Sequence, residues 1–217
     1  MRDGDIGPVI RMIKKDLAGY MPPVSTMAAE GANSFKLLIA TVLSSRTKDE
    51  VSGPAAERLI LSADTPQKML DLGEDRIKEA IYPVGFYNTK ARNIISLCRD
   101  LIEKYDSRVP ESIDELLKLP GVGRKTANLV VSLAFGGAGI CVDVHVHRIS
   151  NRLGYVQTRT PEQTEMALRA KLPRRYWHVF NTLLVGHGQK TCRPVSPFCS
   201  RCPVFRYCDR VGVTESR

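Results

Sequence analysis

Four cysteines near the C-terminal end of the sequence restrict its possible folds more than any other feature. They follow the spacing C-x6-C-x2-C-x5-C and are Cys192, Cys199, Cys202 and Cys208. Three prolines in the same stretch disfavour a regular helix. Four thiolates gathered on a loop suit a soft metal centre, either tetrahedral zinc or a 4Fe–4S cluster. Because zinc sites usually pair two C-x2-C units or mix Cys with His, the spacing favours the cluster, with zinc or disulfides as alternatives.

The composition is that of a chain that can bury a substantial core. It has 217 residues, 43% of them hydrophobic, which allows one domain or two small ones. The N-terminal residues lack a following apolar segment, and the longest nearly uncharged stretch, 129–142, is too short to span a bilayer. We therefore expect a cytoplasmic, nucleoid-associated protein with no membrane partner. In a reducing compartment, Cys98 and Cys141 are predicted to be buried free thiols.

The charge balance favours a polyanionic partner. The formal net charge is +9 and the sequence pI is about 9.4. Lys and Arg side chains on phosphates release counterions and supply most non-specific affinity for nucleic acids. Since many basic proteins bind no nucleic acid, the charge alone does not establish this partner.

Helical periodicity dominates the sequence, and strand signals are scarce. Apolar side chains recur at helical spacing in segments 37–43, 94–102 and 130–135. Pro and Gly residues between such segments, including Gly53-Pro54 and Pro120-Gly121, mark the expected helix ends. The sequence predicts an all-α protein of about ten short helices.

The central motif is the segment Leu119–Ala127, which reads LPGVGRKTA. Pro120 is expected to end one helix, glycines 121 and 123 permit a tight turn, and the next helix is expected over 124–135. The amides at such a helix start and the positive end of its dipole bind a phosphate without reading sequence. The candidate DNA-binding residues here are Gly121, Val122, Gly123 and Arg124. The alternative is an ordinary helix–turn–helix connection punctuated by Pro and Gly.

Lys125 lies in the first turn of that second helix, where the helix dipole opposes a positive charge. If the site is also partly desolvated, the neutral amine is favoured and can attack an electrophilic carbon to form a Schiff base. The alternative is a simple phosphate contact beside Arg124.

Asp143 begins the segment Asp143–Arg148, which reads DVHVHR. A carboxylate at this place is a helix N-cap, a functional acid, or both. The short connection 136–139 would fold this segment back against the helix expected over 124–135 and bring the carboxylate to Lys125. His145 and His147 could bind a metal, but with no third hard ligand near, structural or DNA-contact roles are favoured.

The hairpin motif, the aspartate segment and the cysteine run together resemble endonuclease III, the 4Fe–4S member of the helix-hairpin-helix, Gly/Pro-rich loop and aspartate (HhH-GPD) superfamily of DNA glycosylases. Segments 43–49 and 84–91 resemble the two DNA-facing helix ends of that family. The resemblance covers nearly the whole chain.

The resemblance implies a two-domain all-α fold with damaged duplex DNA bound across the cleft. A six-helix barrel domain carrying the hairpin would span 27–137, and 1–26 with 138–217 would form the iron–sulfur cluster domain. Lys125 would be the nucleophile and lyase residue, Asp143 the catalytic carboxylate, and the four cysteines the ligands of a structural cluster. The implied activity is a bifunctional DNA N-glycosylase and apurinic/apyrimidinic lyase that removes oxidised pyrimidines. We expect a monomer.

One departure from the family pattern concerns the residues that fill the gap left by a flipped nucleotide. Arg46 stands where the family commonly has glutamine, so the preference for the opposite base is open. Phe86 occupies the place of an apolar wedge that can stack between bases. Lys90, in the same segment, and His145 complete the candidate DNA contacts. Each of these could equally be an ordinary surface or core residue.

Two other functions fit the sequence less well. A monofunctional mismatch DNA glycosylase on the same fold generally lacks a lysine at the position of Lys125. Its adenine-directed forms also carry a further C-terminal domain, for which we expect no room after Cys208. A non-catalytic Fe–S DNA-binding protein would need Lys125 or Asp143 to be replaced, and both are present.

Overall fold

The computed structural model describes residues 1–20 and 22–217, and over these ranges the chain is helical and contains no strand. The α-helices are α1 Ile6–Asp16, α2 Pro23–Ala29, α3 Ser34–Ser44, α4 Asp49–Ser62, α5 Pro66–Leu72, α6 Glu74–Ile81, α7 Tyr87–Tyr105, α8 Ile113–Leu116, α9 Arg124–Phe135, α10 Val144–Arg152, α11 Pro161–Lys171 and α12 Trp177–Lys190. Short 3-10 turns cover Asp3–Asp5, Arg174–Tyr176, Cys199–Arg201 and Phe205–Tyr207. The predicted all-α class is confirmed.

The chain divides into two compact units, one of residues Pro22–Gly139 and one of Met1–Met21 with Ile140–Arg217. The N-terminal segment thus groups with the C-terminal half of the chain. The expected bounds of the continuous unit were 27 and 137, so the observed bounds lie a few residues outside them.

The unit Pro22–Gly139 is built around α3. This helix is buried along nearly its whole length, from Phe35 to Leu43, and packs against α4 and α9. Helix α7 buries one face, including Ile94 and Leu97, against α5 and α6. A helix that is apolar on all sides can only lie inside a bundle, which explains the central place of α3.

The unit Met1–Met21 with Ile140–Arg217 has its own core. Helix α12 contacts α1 and α10, and α10 also contacts α11. Tyr155 and Phe180 are the largest fully buried side chains of this core. Burying an aromatic side chain of this size removes a large apolar area from water.

Polar caps and prolines begin several of these helices. Asn33, Thr65, Ser112 and Thr160 each accept a hydrogen bond from the backbone N–H three residues later. Pro66 and Pro161 stand at the first helical position, where the missing N–H has no helical partner to lose.

The expected break at Gly53-Pro54 is wrong, because α4 runs through both residues. Pro54 is the sixth residue of the helix, and the carbonyl that loses its donor is that of Glu50, an exposed residue. Gly53 allows close packing on α2, since an added Cβ would lie 3.2 Å from the Cβ of Pro23.

No helix among the described residues is both long and apolar enough to cross a membrane.

Candidate active site

The turn between α8 and α9 is tight, and Gly121 is required to make it. The Val122 N–H donates to the Leu119 carbonyl at 3.1 Å, which closes the turn. Gly121 has φ +77°, and an added Cβ would lie 2.8 Å from Asn93 Nδ2. An L side chain is therefore disfavoured here both by backbone conformation and by space.

Gly123 is different, because the protein itself does not require a glycine there. It is the N-cap of α9 with an extended backbone, φ −94° and ψ 174°, which any residue can adopt. Apart from its chain neighbours and the backbone of its own helix, no atom of residues 1–20 and 22–217 lies within 4 Å of its Cβ position. The open space lies where the hairpin interpretation places a phosphate. Val122 is buried and its N–H is used inside the turn, whereas Arg124 is exposed.

Lys125 is the second residue of α9 and is exposed. The residues that follow it, Thr126 and Ala127, are buried and anchor the helix in the core. The partial desolvation expected for Lys125 is thus not found.

The connection after α9 returns against that helix. Gly136 ends α9 in a left-handed conformation, φ +61°, and the Gly137 N–H donates to the Val131 carbonyl at 3.0 Å. A Cβ on Gly139 would collide with the carbonyl oxygen of Asn128 in α9. Only a glycine permits so close an approach of backbone to backbone, so the connection itself turns back onto α9. The approach of the Asp143 carboxylate to Lys125 stays a prediction.

Asp143 is the N-cap of α10. It is 9% exposed, and its Oδ1 accepts hydrogen bonds from the backbone N–H groups of His145 and Val146, both at 2.9 Å. Such a cap stabilises a helix by about 1 kcal/mol. The N-cap role is confirmed, and it fixes the position of a buried carboxylate at the positive end of α10.

The two histidines of α10 lie in separate environments. His147 Nδ1 is 2.7 Å from Thr164 Oγ1, which ties α10 to α11. His145 Nδ1 is 3.1 Å from an amino nitrogen of Arg148, and that nitrogen also donates to the Cys192 carbonyl at 2.8 Å. Burial lowers the pKa of the Arg148 guanidinium. Both histidines are half-buried and engaged within their own unit.

The candidate wedge residues Arg46 and Phe86 are both exposed, each on a loop of the unit Pro22–Gly139. Lys90 is not. It is 7% exposed, and its Nζ donates to the carbonyls of Leu43 and Ser45 and to Thr47 Oγ1. An ammonium has three protons to donate. All three are used, contrary to the DNA contact predicted for Lys90.

The four cysteines of the C-terminal run line one common cavity. None of the six cysteines forms a disulfide within the described ranges, and Cys98 and Cys141 are buried, as predicted. As the side chains stand, no group of three or more His, Cys, Asp or Glu in residues 1–20 and 22–217 would hold a metal ion. Burial raises the pKa of the Cys202 thiol to about 11, so a thiolate there needs a compensating positive charge.

Arg152, at the end of α10, holds the loop that begins this run. Its guanidinium donates to the carbonyls of Arg193 and Pro194, both at 2.6 Å, and lies 3.5 Å from Cys192 Sγ. The Cys208 thiol donates to the Arg152 carbonyl at 3.3 Å. Sequence reasoning missed this residue, since its partners are about forty positions away and no local pattern marks it.

His187 is a second residue that sequence reasoning missed. It lies at the cavity, with Nε2 3.8 Å from Cys202 Sγ, and its Nδ1 is buried with no hydrogen-bond partner in the described part of the chain. Burial lowers the pKa of His187 to about 4. A neutral imidazole therefore borders the cysteines at neutral pH.

Positive charge gathers around Phe198 on the same loop. The guanidinium carbons of Arg193, Arg201 and Arg217 lie 5.2, 4.0 and 4.5 Å from the ring centroid. Stacking on an aromatic face holds an arginine in place while its N–H groups remain directed outward. The loop that carries the four cysteines thus presents stacked guanidinium groups.

A comparison with known protein families identifies the class of protein. The family model described as HhH-GPD superfamily base excision DNA repair protein matches residues 39–174. This is more than half of the chain, which is therefore a base excision DNA repair enzyme of the HhH-GPD superfamily.

Individual relatives narrow the identification. Endonuclease III of Thermotoga maritima is 46% identical over 175 residues, covering 81% of this chain and 82% of that protein. Endonuclease III homolog 1, chloroplastic, of Arabidopsis thaliana is 41% identical over 217 residues, and the chain spans 55% of its length. A solved structure of a trapped endonuclease III–DNA covalent intermediate matches with a TM-score of 0.86 and 35% identity, over 97% of both chains. The chain belongs to the endonuclease III family, and it is a DNA glycosylase and lyase.

Proposed function

We propose that the protein removes oxidised pyrimidines from duplex DNA and then cleaves the strand, with Lys125 as nucleophile and Asp143 as catalytic carboxylate. The observation that carries this proposal is the exposed amine of Lys125 one residue inside α9, next to a helix start whose N-cap Gly123 borders open space. A phosphate at the N-cap would hold the DNA strand beside the amine. The solved relative trapped as a covalent intermediate with DNA supports an enzyme-bound step.

The proposed reaction requires a damaged nucleotide to leave the stack, because its C1′ atom is inaccessible within the duplex. The Lys125 ammonium gives up a proton to water, and the amine bonds to C1′ as the base leaves with the electron pair of its bond and takes up a proton. The Asp143 carboxylate stabilises the positive charge on the sugar and then accepts a proton from the nitrogen bound to C1′. The C1′–O4′ bond breaks as that proton passes to O4′, which gives the imine, and the imine acidifies the C2′ proton. Loss of that proton expels the 3′ phosphate, and water then releases Lys125.

We also propose that the hairpin and the wedge loops contact DNA in the unit Pro22–Gly139, the proposed barrel domain. Glycines 121 and 123 with Arg124 would seat a phosphate. Arg46 and Phe86, both exposed, would fill the gap left by the flipped nucleotide. For His145 we propose a structural role rather than a direct DNA contact, since its ring lies beside Arg148.

The second unit is the proposed cluster domain, in which Cys192, Cys199, Cys202 and Cys208 would hold a 4Fe–4S cluster. A cluster binds each cysteine to a different iron, so its ligands must face one shared cavity, as these four do. When bound, the cluster supplies structural cross-linking of the loop. The loop would then present its arginines to the phosphate backbone. Action on chromosomal DNA would make the protein nucleoid-associated, and we expect it to act as a monomer.

Borohydride trapping tests the proposal. On a duplex with an oxidised pyrimidine or an abasic site, the wild-type protein is expected to give a covalent adduct, because borohydride reduces the imine to a stable amine. Lys125→Gln should give no adduct yet bind DNA, since it keeps length and polarity but lacks the amine. Asp143→Asn should slow base release by about 100-fold or more.

The matched control is Lys104→Gln, an exposed lysine paired with Asp100 at the end of α7, which should trap as the wild type does. Trapping that persists in Lys125→Gln would assign the nucleophile to another amine. Base release without any adduct in the wild type would instead indicate a monofunctional enzyme in which water attacks.

A further inference from the structure

Arg46 and Phe86 share an unusual backbone conformation. Both are non-glycine residues in the left-handed region, with φ +52° and φ +59°. This conformation is unfavourable for an L residue, so it persists only where the surrounding structure holds it. The two exposed candidate wedge residues are thus each presented by a constrained loop.

The buried ammonium of Lys90 holds the loop of Arg46 against the start of α7. Its Nζ lies 2.7 Å from the Leu43 carbonyl, 2.6 Å from the Ser45 carbonyl and 3.0 Å from Thr47 Oγ1. Ser45 and Thr47 are the two neighbours of Arg46 in the chain. The backbone N–H of Lys90 donates to the Phe86 carbonyl at 3.0 Å, so Lys90 lies in the first turn of α7, directly after Phe86. One side chain therefore joins the loop of Arg46 to the helix start that carries Phe86.

A second contact fixes the two loops against each other. The Gly85 N–H donates to Thr47 Oγ1 at 3.2 Å. A Cβ on Gly85 would lie 2.8 Å from the Arg46 carbonyl oxygen. The backbone of Arg46 thus lies directly against the residue that precedes Phe86. The Thr47 hydroxyl accepts from both Lys90 and Gly85, which leaves the loop little freedom to shift.

We propose that Lys90 is a positioning residue that sets the spacing of Arg46 and Phe86, and with it the efficiency of nucleotide extrusion and the discrimination among opposite bases. The proposal rests on the wedge roles in the proposed function. Lys90 has no proton left for DNA, so its effect passes through the two loops. Extruding a paired nucleotide is unfavourable because stacking and pairing are lost, and a misplaced wedge offsets that loss less well.

The test compares a substrate that needs extrusion with one that does not. Lys90→Met keeps the length of the side chain and removes the ammonium. Thr47→Val keeps the shape of Thr47 and removes the shared acceptor, and it carries the test if Lys90→Met does not fold. Lys104→Met, on the exposed face of the same helix, is the matched control. Thermal unfolding checks the fold of each variant.

The first measurement is the single-turnover rate of base release from duplexes carrying thymine glycol opposite each of the four bases. The second is borohydride trapping on a single-stranded abasic oligonucleotide, in which no base is stacked or paired. For Lys90→Met we expect base release about 10-fold slower or more, a change of about 1.4 kcal/mol, and an altered order of opposite bases. Trapping on the single strand should change by less than about twofold, since the amine is untouched.

Equal losses of base release on the duplexes and of trapping on the single strand would show that Lys90 only stabilises the fold. No loss in either measurement would show that the two loops keep their positions without the Lys90 ammonium. Both results overturn the inference. A wild-type protein that forms no adduct on either substrate would instead refute the proposed function, independently of Lys90.

Discussion

The two glycines of the hairpin turn are expected to respond differently to substitution: a change at Gly121 should lower mainly stability, and a change at Gly123 should lower mainly DNA affinity. Gly121→Ala places a side chain at φ +77° and next to Asn93, at a cost of about 1–2 kcal/mol. For a chain of this length that cost lowers Tm by about 2–8 °C. At Gly123 the backbone is extended and a Cβ would have no atom of the described residues within 4 Å beyond its chain neighbours and its own helix backbone, so the stability cost of Gly123→Val should stay below about 1 kcal/mol.

DNA affinity should fall more in Gly123→Val than in Gly121→Ala. A valine at 123 would occupy the space through which a phosphate reaches the helix start, and a hydrogen bond to a charged group contributes about 1.5–3 kcal/mol. The expected loss is roughly 10- to 100-fold in Kd, equal for all duplexes because a phosphate carries no sequence information. The slope of log Kd against log salt should not change, since no cation is removed.

The assay is fluorescence anisotropy in a Lys125→Gln background, which prevents turnover, with undamaged, abasic and lesion-containing duplexes at several salt concentrations. Unchanged affinity in Gly123→Val would refute the phosphate seat. A loss confined to one lesion or one sequence would mean that the turn reads bases.

Three further predictions concern the other unit and Lys90. Cys199→Ser should lose the yellow-brown colour and the absorption at about 400 nm expected of a 4Fe–4S protein. The same substitution should lower stability and DNA affinity more than it lowers the trapping rate at saturating DNA. A colourless wild-type protein with stoichiometric zinc would contradict the cluster. Arg201→Gln should reduce the salt slope by about 1, while the exposed Arg76→Gln on α6 should not, and equal slopes in both would remove the cluster loop from the interface. Burial lowers the pKa of Lys90 from its ordinary 10.5 to about 8. Between these pH values the folded state binds fewer protons than the unfolded state, so the free energy of unfolding should rise with pH across that window. The rise should be absent from Lys90→Met, and identical plots of urea midpoint against pH for the wild type and the variant would refute the prediction.

Those parts of the site that depend on local chemistry could be predicted from the sequence. A Pro-Gly turn followed by α9 at Arg124, and a carboxylate placed as the N-cap of α10, are properties of a few consecutive residues, and the structure has both. The spacing of the four cysteines, which line one cavity, is a local pattern as well. The helical class follows from apolar periodicity over longer segments.

Other features depend on distant partners and could not be read from the sequence. Lys90 looks like a surface cation, but its acceptors lie 43 to 47 positions earlier in the chain. Arg152 likewise binds carbonyls 41 and 42 positions away. The helix through Pro54 is a third case, because tertiary packing at Gly53 against Pro23 overrides a local breaking signal.

Helix α10 connects two sites that perform different tasks. Its first N–H groups hold the carboxylate of Asp143, and its last residue, Arg152, holds the chain at Cys192. Nine residues of α-helix span about 14 Å, and a helix this short moves as one rigid piece. Damage to the cysteine centre would therefore reach Asp143 as a displacement. If the four cysteines hold the proposed cluster and Asp143 is the proposed catalytic carboxylate, a metal centre that does not touch the substrate would still change the reaction rate, because it would set the position of that carboxylate.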